Sequence, residues 1–256
     1  MAIITLTTDL GLKDYYVSAI KGTILSMLPN TTIVDISHQI PTYNIQDAAY
    51  ILKNAFPNFP KGSIHIIGVN SEDSIETPHV VVRANDHYFI AADNGIFSLL
   101  LDNFPETVIE INHEANFISS TFSTRDVFVK AACHIASGGT PETLGRIKNK
   151  LLERIPFRAA SMNDMIRGTV VYIDLYGNVM TNISEQLFKE VGKGRNFTIE
   201  FARYEIDKLS TRYNEVREGE ILALFNTSKQ LEIAMYKDKA NSMLNLKLND
   251  TITIHF

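Results

Sequence analysis

Ala2-Ile3-Ile4-Thr5-Leu6-Thr7-Thr8-Asp9-Leu10-Gly11 opens the chain with an apolar run that stops on a carboxylate and a glycine. Residues of that kind read as a strand, and the polar cluster after them reads as its end. The same design recurs far downstream, where Val170-Val171-Tyr172-Ile173 runs into Asp174 and then Tyr176-Gly177-Asn178-Val179-Met180-Thr181-Asn182. Open α/β sheets hold ligands at strand ends, so Asp9 and Asp174 are candidate binding groups. An acid at the end of a first strand can accept both hydroxyls of a ribose. No GxGxxG or GxxxxGK[ST] follows Asp9, so a nucleoside without a pyrophosphate fits better than NAD or ATP. Taken alone, either cluster also reads as a polar turn closing a strand.

From residue 1 to about 155, strand-like and helix-like runs alternate around that opening strand. Ile33–Ile36, Ile64–Val69, Val80–Arg83, Tyr88–Ala91 and Val108–Ile111 read as strands. A first helix is expected from near Asp14, with Val17, Ile20, Ile24 and Leu28 on one face and Pro29 as its stop; a second begins after Asn44, a plausible N-cap. Asn85-Asp86 marks a hairpin, so the sheet should mix parallel and antiparallel strands. After an aperiodic stretch containing Pro156, short strands dominate: Gly168–Ile173, Phe197–Phe201, Ile221–Phe225, Leu231–Ala234 and Thr251–Ile254, with one brief helix near Ser184–Val191. The expected organisation is an α/β, nucleoside-binding domain over 1–155, a linker over 156–166 and a smaller all-β, barrel-like domain over 167–256.

At 256 residues and 45% apolar content the chain can bury a substantial core. A formal net charge of -5 without a Lys/Arg block argues against a nucleic-acid partner. No apolar stretch approaches the roughly 20 residues of a membrane span, and no apolar leader opens the chain, so a cytoplasmic protein is expected. The single cysteine, Cys133, lies in an apolar helix-like run and reads as a buried packing residue. His65, His79, His87, His113 and His134 lack metal-ligand spacing, so no metal is expected. No Gly-x-Ser-x-Gly elbow is present, and Ser137-Gly138-Gly139 reads as a helix C-cap.

Thr8-Asp9-Leu10-Gly11 with Asp14 and Tyr16-Val17, then Val34-Asp35-Ile36-Ser37-His38, Asp93-Asn94-Gly95, Thr121-Phe122 with Arg125-Asp126, Tyr176-Gly177-Asn178 with Thr181-Asn182, and Leu231-Glu232-Ile233-Ala234 follow one another in a telling order. In these motifs the chain resembles, over essentially its whole length, the S-adenosylmethionine (SAM) hydroxide adenosyltransferase family, which includes the SAM-dependent fluorinase and chlorinase. The resemblance implies displacement at the ribose C5′ carbon of SAM by water or halide, with methionine leaving. It places Asp9 on the ribose hydroxyls, Asp14 in the substrate-binding set and Tyr43 against the ribose. Asp174 and Asn178 would meet the methionine amino group and the polar edge of adenine, Tyr213 would stack on the base, and Thr227 and Ser228 would donate to the methionine carboxylate. It further implies a homotrimer with sites between subunits, and no cofactor apart from SAM as substrate.

The catalytic positions depart from the family pattern. Water-using members carry an Asp-Arg-His set; here Asn70 stands for the aspartate, Thr77-Pro78 for the arginine pair, Ser123 for the histidine and Thr124 for the adjoining glycine. Asn70, Thr77, Ser123 and Thr124 can hydrogen-bond a water but hold no group that titrates near neutrality. A general base is typically worth about 10²–10⁴-fold in rate, so slow hydrolysis of SAM to adenosine and methionine is expected. Three alternatives stay open: binding of SAM or adenosine without efficient turnover, hydrolysis by a rearranged set drawing on His79, His113 or Glu72, and halide transfer. The last is disfavoured, because Asn70 replaces the aromatic residue that the fluorinase-like members carry there.

Overall fold

The computed structural model describes residues 2–112, 121–155 and 158–256, and the chain divides into two compact units, Met1–Pro156 and Phe157–Phe256. In the first, β1 (Ile3–Thr8), β2 (Thr32–Ser37), β3 (Ile64–Gly68), β4 (His79–Ala84), β5 (His87–Ala92), β6 (Thr107–Ile111) and β7 (Gly145–Ile147) form one sheet in the order β2-β1-β3-β5-β4-β6-β7. The β1–β2, β1–β3 and β3–β5 pairs are parallel, whereas β4–β5, β4–β6 and β6–β7 are antiparallel, so the sheet is mixed as the sequence predicts. The helices are α1 (Tyr16–Met27), α2 (Ile45–Ala55), α3 (Ile96–Leu100) and α4 (Val129–Ala136), the last entered through a π-helical turn, Thr124–Phe128.

Strand alternation sends side chains into two separate cores. Ile4, Leu6, Ile64, Ile66 and Ile90 pack against α1 and α4, while Val80, Val82, Phe89 and Ala91 pack against α2 and α3. Each such aliphatic side chain contributes roughly 1.5–3 kcal/mol on burial, which holds the sheet between its helical layers. Asn44 caps α2 as expected, its Oδ1 accepting from the Gln46 and Asp47 amides at 3.1 Å each. Helix α1 begins at Tyr16, near Asp14 as expected, behind Tyr15 and without a side-chain cap. Asn85 and Asp86, at φ 53° and 63°, make the tight turn between β4 and β5.

The second unit is an eight-stranded, all-antiparallel, barrel-like sheet of β8 (Ala160–Met162), β9 (Met165–Ile173), β10 (Val179–Ser184), β11 (Thr198–Phe201), β12 (Tyr204–Ile206), β13 (Ile221–Phe225), β14 (Gln230–Met235) and β15 (Thr251–His255). The strand order is β12-β11-β15-β9-β10-β14-β13, with β8 on β9. Residues 160–162, aperiodic in sequence, become a strand by pairing with β9. Helix α5 (Glu185–Gly192) starts behind Ser184, whose hydroxyl accepts from the Leu187 amide, and the four-residue α6 (Ala240–Met243) follows β14. Among the described residues no helix is long and apolar enough to cross a membrane.

Candidate active site

The order β2-β1-β3 places the ends of parallel strands β1 and β3 side by side, with Thr8 opposite Gly68. Connections leave in opposite directions at such a point, which opens a crevice beyond the strand ends. A cavity of about 770 Å³ lies there, lined by Asp9 and Leu10 after β1, Thr42 and Tyr43 after β2, Asn70 to Asp73 after β3, His79 at the start of β4, and Thr121 to Thr124 at the start of the helix leading into α4. Tyr16 and Val127 complete the wall.

Asp9 is held from both sides. Its Oδ2 accepts from the Tyr43 amide at 2.8 Å, with Tyr43 at φ 63°. Behind it, the buried His38 ring lies 2.7 Å from the Thr8 hydroxyl through Nδ1 and 3.0 Å from Asp35 Oδ1 through Nε2, while the His38 carbonyl accepts from the Gly11 amide at 2.8 Å. The Lys21 ammonium and His38 stabilise the Asp35 carboxylate, and their combined effect overcomes desolvation to hold it below its ordinary value. The Asp35-to-His38 motif therefore serves the turn that presents Asp9.

Asn70 follows β3 at φ 46° and turns Ser71, Glu72 and Asp73 into the cavity. The Asn94 amide fixes that turn, donating to the Val69 and Asn70 carbonyls at 3.2 and 2.9 Å. Asp93-Asn94-Gly95 is thus a brace behind the cavity, with Asp93 Oδ1 accepting from the Leu152 amide at 2.9 Å and burial pushing its carboxyl up. The Ser71 hydroxyl lies 3.3 Å from the Thr124 hydroxyl. His79 lies 2.9 Å from the Ser71 carbonyl through Nε2; a carbonyl only accepts, so this nitrogen carries the proton. Gly68 is required here, because a Cβ on it would stand 2.7 Å from Thr124 Oγ1.

Of the expected catalytic residues, Asn70, Ser123 and Thr124 line the cavity and Thr77 does not: its hydroxyl bonds to Ser74 at 2.8 Å in a closed local turn. Asp14 is exposed and also lies off the lining, while His113 falls outside the described residues. Among the described lining residues Asp9, Glu72 and Asp73 are acidic, and none is a lysine or arginine. Arg125 is instead committed to Asp126 at 2.6 Å and lies over the Phe122 ring. Cys133 is buried, and burial pushes its thiol up to about 11, as suits a packing residue.

The second unit holds its own cavity of about 800 Å³, lined by Asp174, Leu175, Tyr176, Asn178, Tyr213 and residues 235–239. Asp174 organises the turn, its Oδ1 accepting from the Asn178 amide at 2.8 Å and its Oδ2 from the Asn178 side chain at 3.1 Å. Gly177, at φ 81°, lets the Lys239 backbone approach, since a Cβ would stand 2.9 Å from Lys239 Cα. Tyr213 donates its hydroxyl proton to Glu232 at 2.7 Å. Thr227 and Ser228 lie off the lining, and the Ser228 amide donates to Asn226 Oδ1 at 3.0 Å. Residues 235–239 carry no spacing signal; only their place just after a strand end could have pointed to them.

Residues 4–145 match the SAM hydroxide adenosyltransferase N-terminal domain and residues 168–253 the C-terminal domain of that family. A relative from Methanocaldococcus jannaschii, named (R)-S-adenosyl-L-methionine hydrolase, is 29% identical over 98% of this chain and 95% of its own length. One from an Actinoplanes species, named fluorinase, is 21% identical over 98% of this chain and 97% of its own. The crystal structure of an uncharacterized conserved protein from Thermotoga maritima superposes with a TM-score of 0.90 at 27% identity, covering 99% of this chain and all of that one. With both domain types matched in order, the chain belongs to the SAM hydroxide adenosyltransferase family.

Proposed function

We propose that this protein hydrolyses SAM to adenosine and methionine by attack of water at the ribose C5′ carbon. The observation that carries the reading is the cavity beyond β1 and β3, which combines Asp9, Glu72 and Asp73 with the hydroxyls of Ser71, Ser123 and Thr124 and has no lysine or arginine among its described lining residues. Such a wall attracts a sulfonium cation and repels fluoride or chloride, so it favours water over halide. Asp9 holds the ribose hydroxyls with Tyr43 beside them, and the hydroxyls orient the water. The water oxygen bonds to C5′ as the C5′–S bond breaks, its proton passes to solvent or to the Glu72 carboxylate, and the electron pair leaves with sulfur as a neutral thioether. No general acid is needed for that departure, so in-line positioning and exclusion of bulk water carry the rate.

Asp174, Asn178 and Tyr213 take the adenine and methionine ends, and family resemblance supports a homotrimer in which the first unit of one chain meets the second unit of the next. The protein works in the cytoplasm and needs no cofactor. A second reading, a SAM- or adenosine-binding protein without turnover, is favoured by the replacement of the family's titrating set with Asn70, Ser123 and Thr124. Incubation with each sulfonium epimer of SAM, followed by chromatography, separates the readings. Adenosine and methionine in equal amounts, lost in Asp9→Ala, support hydrolysis; tight binding without product establishes the second reading; a 5′-halo product in chloride or fluoride overturns water as the nucleophile.

A further inference from the structure

Leu231-Glu232-Ile233-Ala234 contains an acid where a core strand wants a hydrocarbon. The other residues of β14 from Leu231 to Met235 are apolar, yet Glu232 is 1% exposed, and among the described residues of the second unit it is the only acidic side chain so withdrawn from solvent. A buried carboxylate is costly unless both oxygens find donors. Both do: Tyr213 donates to Oε1 at 2.7 Å and the Asn226 amide to Oε2 at 3.2 Å. The amide orientation of Asn226 is fixed in turn, because its Oδ1 accepts from the Ser228 and Gln230 amides at 3.0 and 3.2 Å.

We infer that Glu232 is a positioning residue for the nucleoside: it locks the Tyr213 ring into the wall of the second cavity and ties that ring to the Asn226–Ser228 turn. This rests on the reading that the cavity takes the adenosine end of the ligand. Tyr213 sits in a short 3-10 turn and is 42% exposed, so without a tether its ring would lose rotamer freedom each time a base stacked on it. Holding it in place beforehand moves that entropy loss from binding to folding. The tether needs the ionised acid, since two donors point at it. Burial, joined by the negative charge of Asp174, pushes the Glu232 carboxyl up, and burial with Glu232 pushes the Tyr213 hydroxyl up. The groups facing Glu232 are Tyr213 from its turn, Asn226 from the β13–β14 turn and Asp174 from the β9–β10 turn, while its cross-strand partners Met180 and Leu224 are uncharged. Protonation of Glu232 therefore loosens the ring as the pH falls, and burial moves that protonation above the ordinary carboxylate range.

The test is adenosine affinity by calorimetry from neutral to mildly acidic pH, with steady-state kinetics on SAM, for the wild type, Glu232→Gln, Tyr213→Phe and the double variant. Glu232→Gln removes the charge and leaves one acceptor oxygen for two donors, which predicts that it raises the adenosine Kd about tenfold at neutral pH, and KM with it, while kcat stays within about twofold. The weakening that the wild type shows toward acidic pH should vanish in Glu232→Gln, and the double variant should be no worse than the weaker single one. Wild-type affinity and an unchanged pH profile in Glu232→Gln overturn the inference while leaving the ligand reading intact. Should that variant fail to fold, Tyr213→Phe decides: it deletes only the hydroxyl, and wild-type affinity with the acidic weakening retained overturns the inference equally. If the wild type binds neither adenosine nor SAM, the ligand reading falls and takes this inference with it.

Discussion

His65 sits in a strand whose neighbours are isoleucines, at the centre of a buried polar chain. Its Nδ1 lies 2.7 Å from the Thr5 hydroxyl and its Nε2 3.1 Å from His87 Nδ1, while its ring stacks on Phe89 at 5.0 Å. Burial, with a smaller effect from His87, pushes its pKa down to about 3, and burial lowers His87 too against the pull of Asp86. Both rings are therefore neutral in the folded protein at a pH where the unfolded chain protonates them. The unfolded state binds more protons, so this part of the stability is present above the ordinary histidine value and is lost as pH falls from there toward 3. The slope approaches about 1.4 kcal/mol per pH unit for each histidine that stays neutral. Urea midpoints measured at descending pH should fall in the wild type and fall less steeply in His65→Asn, which leaves His87; a wild-type midpoint that holds steady through the acidic range would contradict the buried-neutral assignment.

At the scale of elements, the clearest joint is where β3 meets the helix that begins at Thr124. Thr124 is 1% exposed and touches the β3 backbone only because Gly68 has no side chain. Gly68→Ala should cost about 1–3 kcal/mol, as overpacking of a filled site does, and should weaken SAM binding by displacing Thr124 from the cavity wall. Urea denaturation with ligand titration checks both, and an alanine variant of wild-type stability would mean that the helix start yields without cost. Elements of this kind also mark the limit of sequence reading. The strands rich in β-branched residues, the Asn44 cap and the Asn85-Asp86 turn are legible because their signals are local. Val179–Ser184 forms β10 although Thr181, Asn182 and Ser184 make it look like a polar cluster; its pairing with β9 and β14 supplies the order. Helix α3 and strand β7, at five and three residues, are too short to show a period. The same divide holds in the cavities: Asp9, Asn70 and Asp174 follow strands readable in sequence, whereas Thr77 turns away into a bond with Ser74 that only the folded loop creates.

For the molecule as a whole, the proposed trimer would give the apolar residues exposed at each cavity a surface to pack on. Tyr43, on the wall of the first cavity, is 65% exposed, and Leu175 and Tyr176, on the wall of the second, are 92% and 77% exposed. The proposed trimer, with each site shared by two chains, makes a quantitative prediction. Asp9→Ala removes the ribose acceptor and Asp174→Ala the organiser of the second cavity, so each variant alone should be inactive. Co-expressed, they form mixed trimers in which some sites join the intact first unit of one chain to the intact second unit of its neighbour. Random assembly in a closed ring leaves about a quarter of the sites intact, so the mixture should regain about a quarter of wild-type turnover, or of adenosine-binding capacity if turnover is slow. Sites contained within single chains would regain nothing, because every chain then carries a lesion in its only site. Sedimentation of the wild type at the mass of one chain would remove the shared-site arrangement altogether, since no neighbour would be present to supply the second half.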